Sequence, residues 1–376
     1  MTACFLQPLD LLYLRGNHLF GDAGSFGAAL MPPWPSVFAG ALRSHLLSST
    51  GTDLAAFARG DVNHPVLGTP AHPGSFGVTA VHLARRHRDG VVERFYPIPA
   101  DAIVLNDDPK PVGLHLLKPS AWPLPSSYPL ALMPLLQAPQ AKPAAGYFLR
   151  EAAWREYLHQ RPIKSDWLIP ASKLWASDSR VGIGLDSVSR AAADGALYTA
   201  QAVAMIVTGE YCSGFAVDLV GLPDGMTPGT IRLGGDGRGA ALQPLGASKP
   251  IEPDYAAIVK ARRCRIVLTS PGIFPAGWKL PGLTDDNAWS LGAANGRLVS
   301  ASVARAETVS GWDLAKRKPK AAERAAPVGS VYWLDQLDAD EATLRSLVQR
   351  GLWSDADEDR VRRAEGFNRF SFAQWT

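Results

Sequence analysis

Between Pro97 and Pro143 prolines recur so densely that neither a long helix nor a central strand can persist there. Each proline removes a backbone donor and fixes φ, so this stretch is expected to be an irregular insertion, at about 97–145, packed over the first domain. Regular structure must then be built from the chain on either side. The same punctuation continues elsewhere: 30 prolines and 35 glycines in 376 residues call for many turns and long loops. At roughly 100–200 residues per domain, the length points to two domains.

The segments outside the insertion read mainly as strands. Ala3 to Leu14 is apolar, nearly unbroken from Leu9 to Leu14, which predicts a buried strand ending at Arg15-Gly16-Asn17. A glycine-rich loop follows, then a helix in which Pro35 suits the first turn, Ser36 caps, and Val37, Ala41, Leu42 and Leu46 recur at helical spacing. Phe76 to Ala84 and Val91 to Tyr96 predict a β-hairpin with a basic tip, Arg85 to Gly90, where Asp-Gly makes the turn. Gly146 to His159 predicts a short helix, and Asp340 to Leu352 a late one. Between them lie strand-like runs at Gln201–Thr208, Phe215–Leu222, Cys264–Thr269, Arg297–Ala304 and Val328–Leu334. Many strands and few helices make the chain α+β. Two strand-rich halves, each with a helix, are compatible with two copies of a βαββαβ unit, at 1–195 and 196–376.

Several function classes are excluded by spacing. The sequence contains no Walker A loop, no His-Glu-x-x-His, no Gly-x-Ser-x-Gly and no paired-cysteine zinc pattern. Cys4, Cys212 and Cys264 are too few and too far apart for a disulfide framework or a four-cysteine metal site, which fits a reducing cytoplasm. The N-terminus has no basic region followed by an apolar run, and no segment approaches a membrane span. Gly234-Gly235-Asp236-Gly237 has the look of a nucleotidyl cyclase palm turn, yet it lacks the further carboxylates a metal pair needs and reads as a glycine turn. No catalytic residue, metal or cofactor is assigned. A minor alternative keeps His18 or His45, which flank the first glycine loop, as a general base for RNA cleavage.

The positive signals are arginines beside glycines. Arg180 to Gln201 reads RVGIGLDSVSRAAADGALYTAQ. Gly182 and Gly184 remove side chains at alternate positions, and Arg180 and Arg190 offer forked donors to phosphate. Residue type alone fits an ordinary loop equally well. Ala196-Leu197-Tyr198 starts a buried strand, so this stretch is expected to lead into the second domain. Arg15 opens the first loop, Arg43 lies on the first helix, and Arg238 ends the Gly234–Gly237 turn. Lys316, Arg317, Lys318 and Lys320, with Arg324 beyond, form a basic segment whose proline forbids a regular helix, expected to be a mobile loop that orders on phosphate. Among the tryptophans, Trp34, Trp278, Trp312 and Trp353 are candidate base-stacking platforms. The net charge of +3 is too mild to decide the matter by itself.

In order along the chain, Arg15-Gly16-Asn17 with Leu19-Phe20, PPWPSVFAGALRS at 32–44, RVGIGLD with GALYTAQ, LGGDGR at 233–238 and RAAPVGSVYW at 324–333 resemble the third Cmr-module subunit of type III-B CRISPR effectors. The resemblance implies two tandem ferredoxin-like, RRM-related domains of the repeat-associated mysterious protein (RAMP) class. It implies a non-catalytic subunit that holds the 5′ tag of the CRISPR RNA (crRNA), docks on the large palm-domain subunit and the first backbone RAMP subunit, and meets target RNA only indirectly. Carried onto this chain, it puts Arg180, Gly182, Gly184 and Arg190, and separately Gly234, Gly235 and Arg238, at the RNA or at a neighbouring subunit. One departure is visible. Where the family often carries an Arg-Asp-Gly type of first turn, this chain has Arg15-Gly16-Asn17, with Asp22 coming later. Two other readings stay open: a crRNA-processing endoribonuclease using His18 or His45, and a small-nucleotide enzyme using the Gly234 turn.

Overall fold

The computed structural model describes residues 2–375 apart from 15, 17–25, 107–112, 122–126, 140, 187, 223, 224, 248, 314, 317 and 357. The main elements of the N-terminal part are β1 (Thr2–Pro8), α1 (Pro35–Ser49), β2 (Gly77–His87), β3 (Val92–Pro97), β4 (Tyr147–Arg150) and α2 (Glu151–Leu158). Next come β5 (Trp175–Leu185), β6 (Ala192–Met205), β7 (Tyr211–Val220), β8 (Gly229–Arg232), β9 (Gly239–Leu245), β10 (Cys264–Leu268), β11 (Ala288–Leu291) and β12 (Ala294–Ser302). The chain ends with β13 (Trp312–Asp313), β14 (Lys318–Pro319), β15 (Val331–Asp338), α3 (Glu341–Arg350) and β16 (Phe370–Gln374). Strands dominate, as α+β composition requires.

Two compact units emerge, each assembled from three stretches of chain. The first combines Met1–Glu93, Ser172–Ser248 and Thr308–Glu323, and the second combines Arg94–Ala171, Lys249–Glu307 and Arg324–Thr376. The expected division at 195/196 falls inside β6, because hydrogen bonding carries that strand through Ala192–Met205 without a break.

In the first unit the sheet order is β2-β7-β1-β9-β8, with antiparallel neighbours from β2 to β8. Register aligns Leu83, Phe215, Leu6 and Leu242 in one row, all buried, because side chains on paired positions share a face. α1 lays Phe38 on this row, 5.0 Å from the Phe215 ring centroid. The buried residues of α1 beyond Pro35 are Phe38, Ala39, Ala41, Leu42 and Leu47, with Val37 and Leu46 only half-buried. Pro35 starts the helix as expected, but the N-cap is Trp34 and contributes no side-chain cap, so Ser36 does not cap. On the opposite face Phe5, Ala84 and Ala216 form a smaller apolar cluster.

β1 ends at Pro8, earlier than the apolar run implied. Leu9 is 60% exposed and donates its N–H to Gly239 O at 3.0 Å, and Leu12 exchanges backbone hydrogen bonds of 2.9 and 2.8 Å with Val203, an isolated bridge rather than a continued strand. Of the expected basic tip, Arg85, Arg86 and His87 belong to β2, leaving the turn proper to the next residues, with Gly90 at φ 87°.

The stretch from Arg180 to Gln201 is a β-hairpin. β5 and β6 pair antiparallel from Trp175↔Met205 to Ile183↔Leu197, with a bulge between Ile183 and Leu185. Asp186 closes the end by accepting from the backbone of Val188 (3.1 Å) and Ser189 (2.7 Å), and Arg190 takes a left-handed φ of 54°. The β-branched Val181 and Ile183 favour the extended backbone that the glycines between them would not hold alone.

The second unit holds a five-stranded antiparallel sheet ordered β11-β12-β15-β10-β16. α3 follows β15 and is capped by Asp340, which accepts from Thr343 N at 2.7 Å. The described part of the proline-rich segment belongs to this unit, forming only short pairs, Ala102–Leu105 with Gly113–Leu116 and Lys118–Ser120 with Met133–Leu135. It is tied to β12 by Leu132 N donating to Val299 O at 2.8 Å. Among the described residues the short pieces there follow the proline density, and they pack both on β4 and α2 and on the later sheet, Val104 sharing a buried cluster with Leu149, Trp154, Tyr157, Val299 and Val331.

A charged group is sealed inside the second unit. Arg265 and Asp101 are 2% and 1% exposed and pair at 2.6 Å. Tyr157 donates its hydroxyl to Asp101 at 2.7 Å, and Arg265 also donates to Tyr157 O (2.8 Å) and Gln374 O (2.9 Å). Burial pushes the Tyr157 phenol well up. Burial opposes the Arg265 charge, but the Tyr157 and Asp101 oxygens more than offset it, so its pKa is raised.

Candidate nucleic-acid interface

The Gly234–Gly237 turn joins β8 to β9 and rests on Tyr13. Gly235 N donates to Tyr13 O at 2.8 Å, and Gly234 has φ +79° with its open side facing that carbonyl, where an added Cβ would stand 2.7 Å from the oxygen. The glycines are therefore needed for close approach to the chain's own backbone. Arg238 leaves the turn, lays its guanidinium 5.1 Å from the Tyr13 ring centroid and pairs with Asp10 at 3.0 Å.

Arg180, on β5, pairs with Asp178 at 3.0 Å and is 54% exposed. Its charge is held above the ordinary arginine range by the hydrogen bond and charge of Asp178, with smaller contributions from Tyr13 and Asp10. The segment that carries Asp10 and Tyr13 also bonds through Leu12 to Val203 on β6, the strand paired with the one that bears Arg180. Gly182 and Gly184 lie on the same face of the hairpin as Arg180. The Cβ space at Gly182 is filled by the ring of Tyr198, and a Cβ at Gly184 would meet the Ala196 Cβ at 2.9 Å. Their first use is cross-strand packing rather than an open cradle.

Arg190 sits in the exposed turn that closes the hairpin, where its N–H donates to Asp186 O at 2.9 Å. Arg43 is half-buried on α1, its guanidinium 5.9 Å from the Phe76 ring. Lys316, Lys318 and Lys320 belong to a second hairpin, β13–β14, with Trp312 opposite Pro319 and Asp313 opposite Lys318. A two-residue ladder thus stands on either side of a turn where an irregular loop was expected. Arg324 is exposed and falls in the second unit. Arg15 and His18 lie outside the described residues, as do Arg317 and most of the first glycine loop. His45, on α1, places Nε2 3.2 Å from Thr227 O and 3.4 Å from Thr227 Oγ1, so its ring nitrogen is engaged within the fold.

Two features escaped sequence reasoning. Asp10 and Tyr13 hold Arg238, and the one local sign of this was a charged residue interrupting an apolar run. The other is the apolar face of the β5–β6 hairpin, where Val181 (70%), Ile183 (49%), Leu185 (61%) and Leu197 (56%) stand exposed. Alternation of large apolar residues with glycine was its signal, since period two places them on one side.

A family described as CRISPR-associated protein (Cas_Cmr3) matches residues 4–375. The chain belongs to the Cmr3 family. That membership makes it a type III-B CRISPR effector subunit. Comparison with curated proteins finds no match. Among solved structures, this Cmr3-family chain is similar to one from a type III-B Cmr-beta complex bound to cognate target RNA, studied by cryo-EM. The TM-score is 0.51 at 13% identity, covering 98% of this chain and 96% of that one. A chain of the Cmr-beta complex bound to cognate target RNA and AMPPnP, state 1, gives a TM-score of 0.49 at 13% identity, covering 98% and 95%. At such identity the first likeness speaks for the fold alone. Among the described residues no helix is long and apolar enough to cross a membrane, and no group of three His, Cys, Asp or Glu side chains could hold a metal ion.

Proposed function

We propose that this Cmr3-family chain is a non-catalytic RNA-binding subunit that holds the 5′ tag of the crRNA in the cytoplasm. In that role it bridges the large palm-domain subunit and the first backbone RAMP subunit, and meets target RNA indirectly. The observation that carries this reading is that Arg238 and the Gly234–Gly237 turn meet at Asp10 and Tyr13, while the same segment bonds through Leu12 to Val203 on the hairpin that carries Arg180. Arg190 adds a cation in the turn that closes the hairpin carrying Arg180. Guanidinium groups position the phosphates, and the bases of a short single-stranded tag are splayed and read singly. Exposed ion pairs add little stability, so a phosphate displaces Asp178 or Asp10 at small cost.

The finer fold reading is that each unit is a ferredoxin-like RAMP domain. Strand order supports it: in β2-β7-β1-β9 and again in β12-β15-β10-β16, the first strand lies between the third and the fourth, with the second beyond the third. The first unit keeps the helix after its first strand, α1, and the second keeps the helix after its third, α3.

The test is to change Arg180→Glu and Arg190→Glu together, isolate the assembled complex and measure crRNA occupancy and 5′ nuclease protection. Loss of both with intact assembly is the expected result. Unchanged occupancy and protection would sink the tag-binding assignment for this surface.

A further inference from the structure

The β13–β14 hairpin concentrates charge and exposed aromatic surface in ten residues. Residues 311–320 carry four basic side chains (Lys316, Arg317, Lys318, Lys320) and one acidic (Asp313), a net +3 that equals the formal charge of the entire chain. Trp312 is 57% exposed. Its partner across the ladder is Pro319, so the two share one face, while Asp313 and Lys318 share the other. The result is a flat Trp–Pro face with cations at the hairpin end and behind it. The hairpin is pinned at its base, where Lys320 N donates to Gly311 O at 2.8 Å and Ser310 Oγ donates to Lys320 O at 3.0 Å. Its end is shaped by Asp313, which accepts from Lys316 N at 3.0 Å.

We propose that this hairpin is a second, sequence-independent contact for single-stranded RNA, in which a base stacks on Trp312 and the adjoining phosphates meet Lys316 and Lys318. The inference rests on the RNA-binding reading above and adds the stacking residue and the strandedness. An exposed indole face needs an unpaired base, which a duplex does not offer, and the lysines need a polyanion. An acidic protein surface would satisfy the lysines but gives the indole no matching planar partner.

The experiment uses the full-length chain and a fluorescently labelled oligouridylate, followed by anisotropy across a salt series. Trp312→Ala is expected to weaken binding about 5- to 150-fold, and Trp312→Phe to keep most of it. Lys316→Glu with Lys318→Glu is expected to flatten the log Kd against log salt slope by about 0.7 per lysine. Wild-type affinity in Trp312→Ala overturns the proposal, and equal loss in the alanine and phenylalanine variants overturns the stacking claim. Normal RNA binding by the hairpin variants, together with loss of a protein subunit from the purified complex, marks the face as a protein contact and also overturns it. If Arg180→Glu with Arg190→Glu abolishes tag protection while the hairpin variants are silent, this inference fails alone. If both sets are silent, both readings fail.

Discussion

Asp101→Ala strands Arg265 as a buried, uncompensated charge. In the native chain that guanidinium is 2% exposed and has three oxygens within hydrogen-bond distance, Asp101 Oδ2 at 2.6 Å, Tyr157 O at 2.8 Å and Gln374 O at 2.9 Å. Truncation removes the only anion among them and also deprives the Tyr157 hydroxyl of its 2.7 Å acceptor. Removing one partner of a buried pair costs about 3–5 kcal/mol. At roughly 2–4 °C per kcal/mol for a body of this size, the second unit should melt about 6–20 °C lower. Trp154, Trp333 and Trp375 lie in the same buried cluster and make intrinsic fluorescence a local reporter.

The double variant Asp101→Ala with Arg265→Met separates stranded charge from lost packing. With the guanidinium gone, most of the deficit should return, because removing both charges avoids the desolvation penalty. If Asp101→Ala melts within about a degree of wild type, a shift well under 1 kcal/mol, the site is wetter or more plastic than its burial implies. If the double variant is no more stable than the single one, the loss comes from packing and the electrostatic argument fails.

Gly234→Ala places a side chain at φ +79° and 2.7 Å from Tyr13 O, so its urea midpoint should fall by the equivalent of about 1–3 kcal/mol. An unchanged midpoint would mean that the turn does not depend on the Tyr13 carbonyl. Asp10→Asn frees Arg238 from a competing carboxylate. On the tag-binding reading, RNA affinity measured by anisotropy should rise about 1.5- to 5-fold, toward the low end because Asp10 is 66% exposed. A fall in affinity would show that Asp10 supports the arginine rather than competes for it.

Local chemistry was legible in the sequence and long-range pairing was not. Pro35 fixed the start of α1, Asp340 the start of α3, and the Asp89-Gly90 turn the hairpin of β2 and β3, each a matter of a few neighbouring residues. The α+β class followed from counting such segments. What failed involved partners distant in sequence. Leu9 and Leu11 to Leu14 read as strand because they are apolar, yet their backbone bonds go singly to scattered partners, Leu9 to Gly239, Leu12 to Val203 and Tyr13 to Gly235, so no continuous ladder forms. Gly182 and Gly184 read as an open loop because the residues that fill their space, Tyr198 and Ala196, lie across a hairpin. The proline-rich segment announced its irregularity but gave no sign that Leu132 would bond to Val299.

The same limit shaped the candidate site, with a physical consequence. The sequence offered arginines and lysines as free cations, but the structure gives several of them a partner beforehand: Arg180 has Asp178, Arg238 has Asp10 and Tyr13, Arg43 has Phe76, and Lys316 has Asp313. Where that partner is an exposed carboxylate, the pair is worth little in water, yet it holds the cation in a fixed place. Meeting a polyanion is then an exchange of one acceptor for another rather than the ordering of a loose side chain, so less rotamer entropy is lost on contact. The carboxylates also lower the local positive potential, in keeping with a chain whose 38 lysines and arginines are nearly balanced by 35 aspartates and glutamates. A surface built this way favours an anion that presents several phosphates at set spacing over scattered small anions, because only the former displaces several carboxylates in a single binding event.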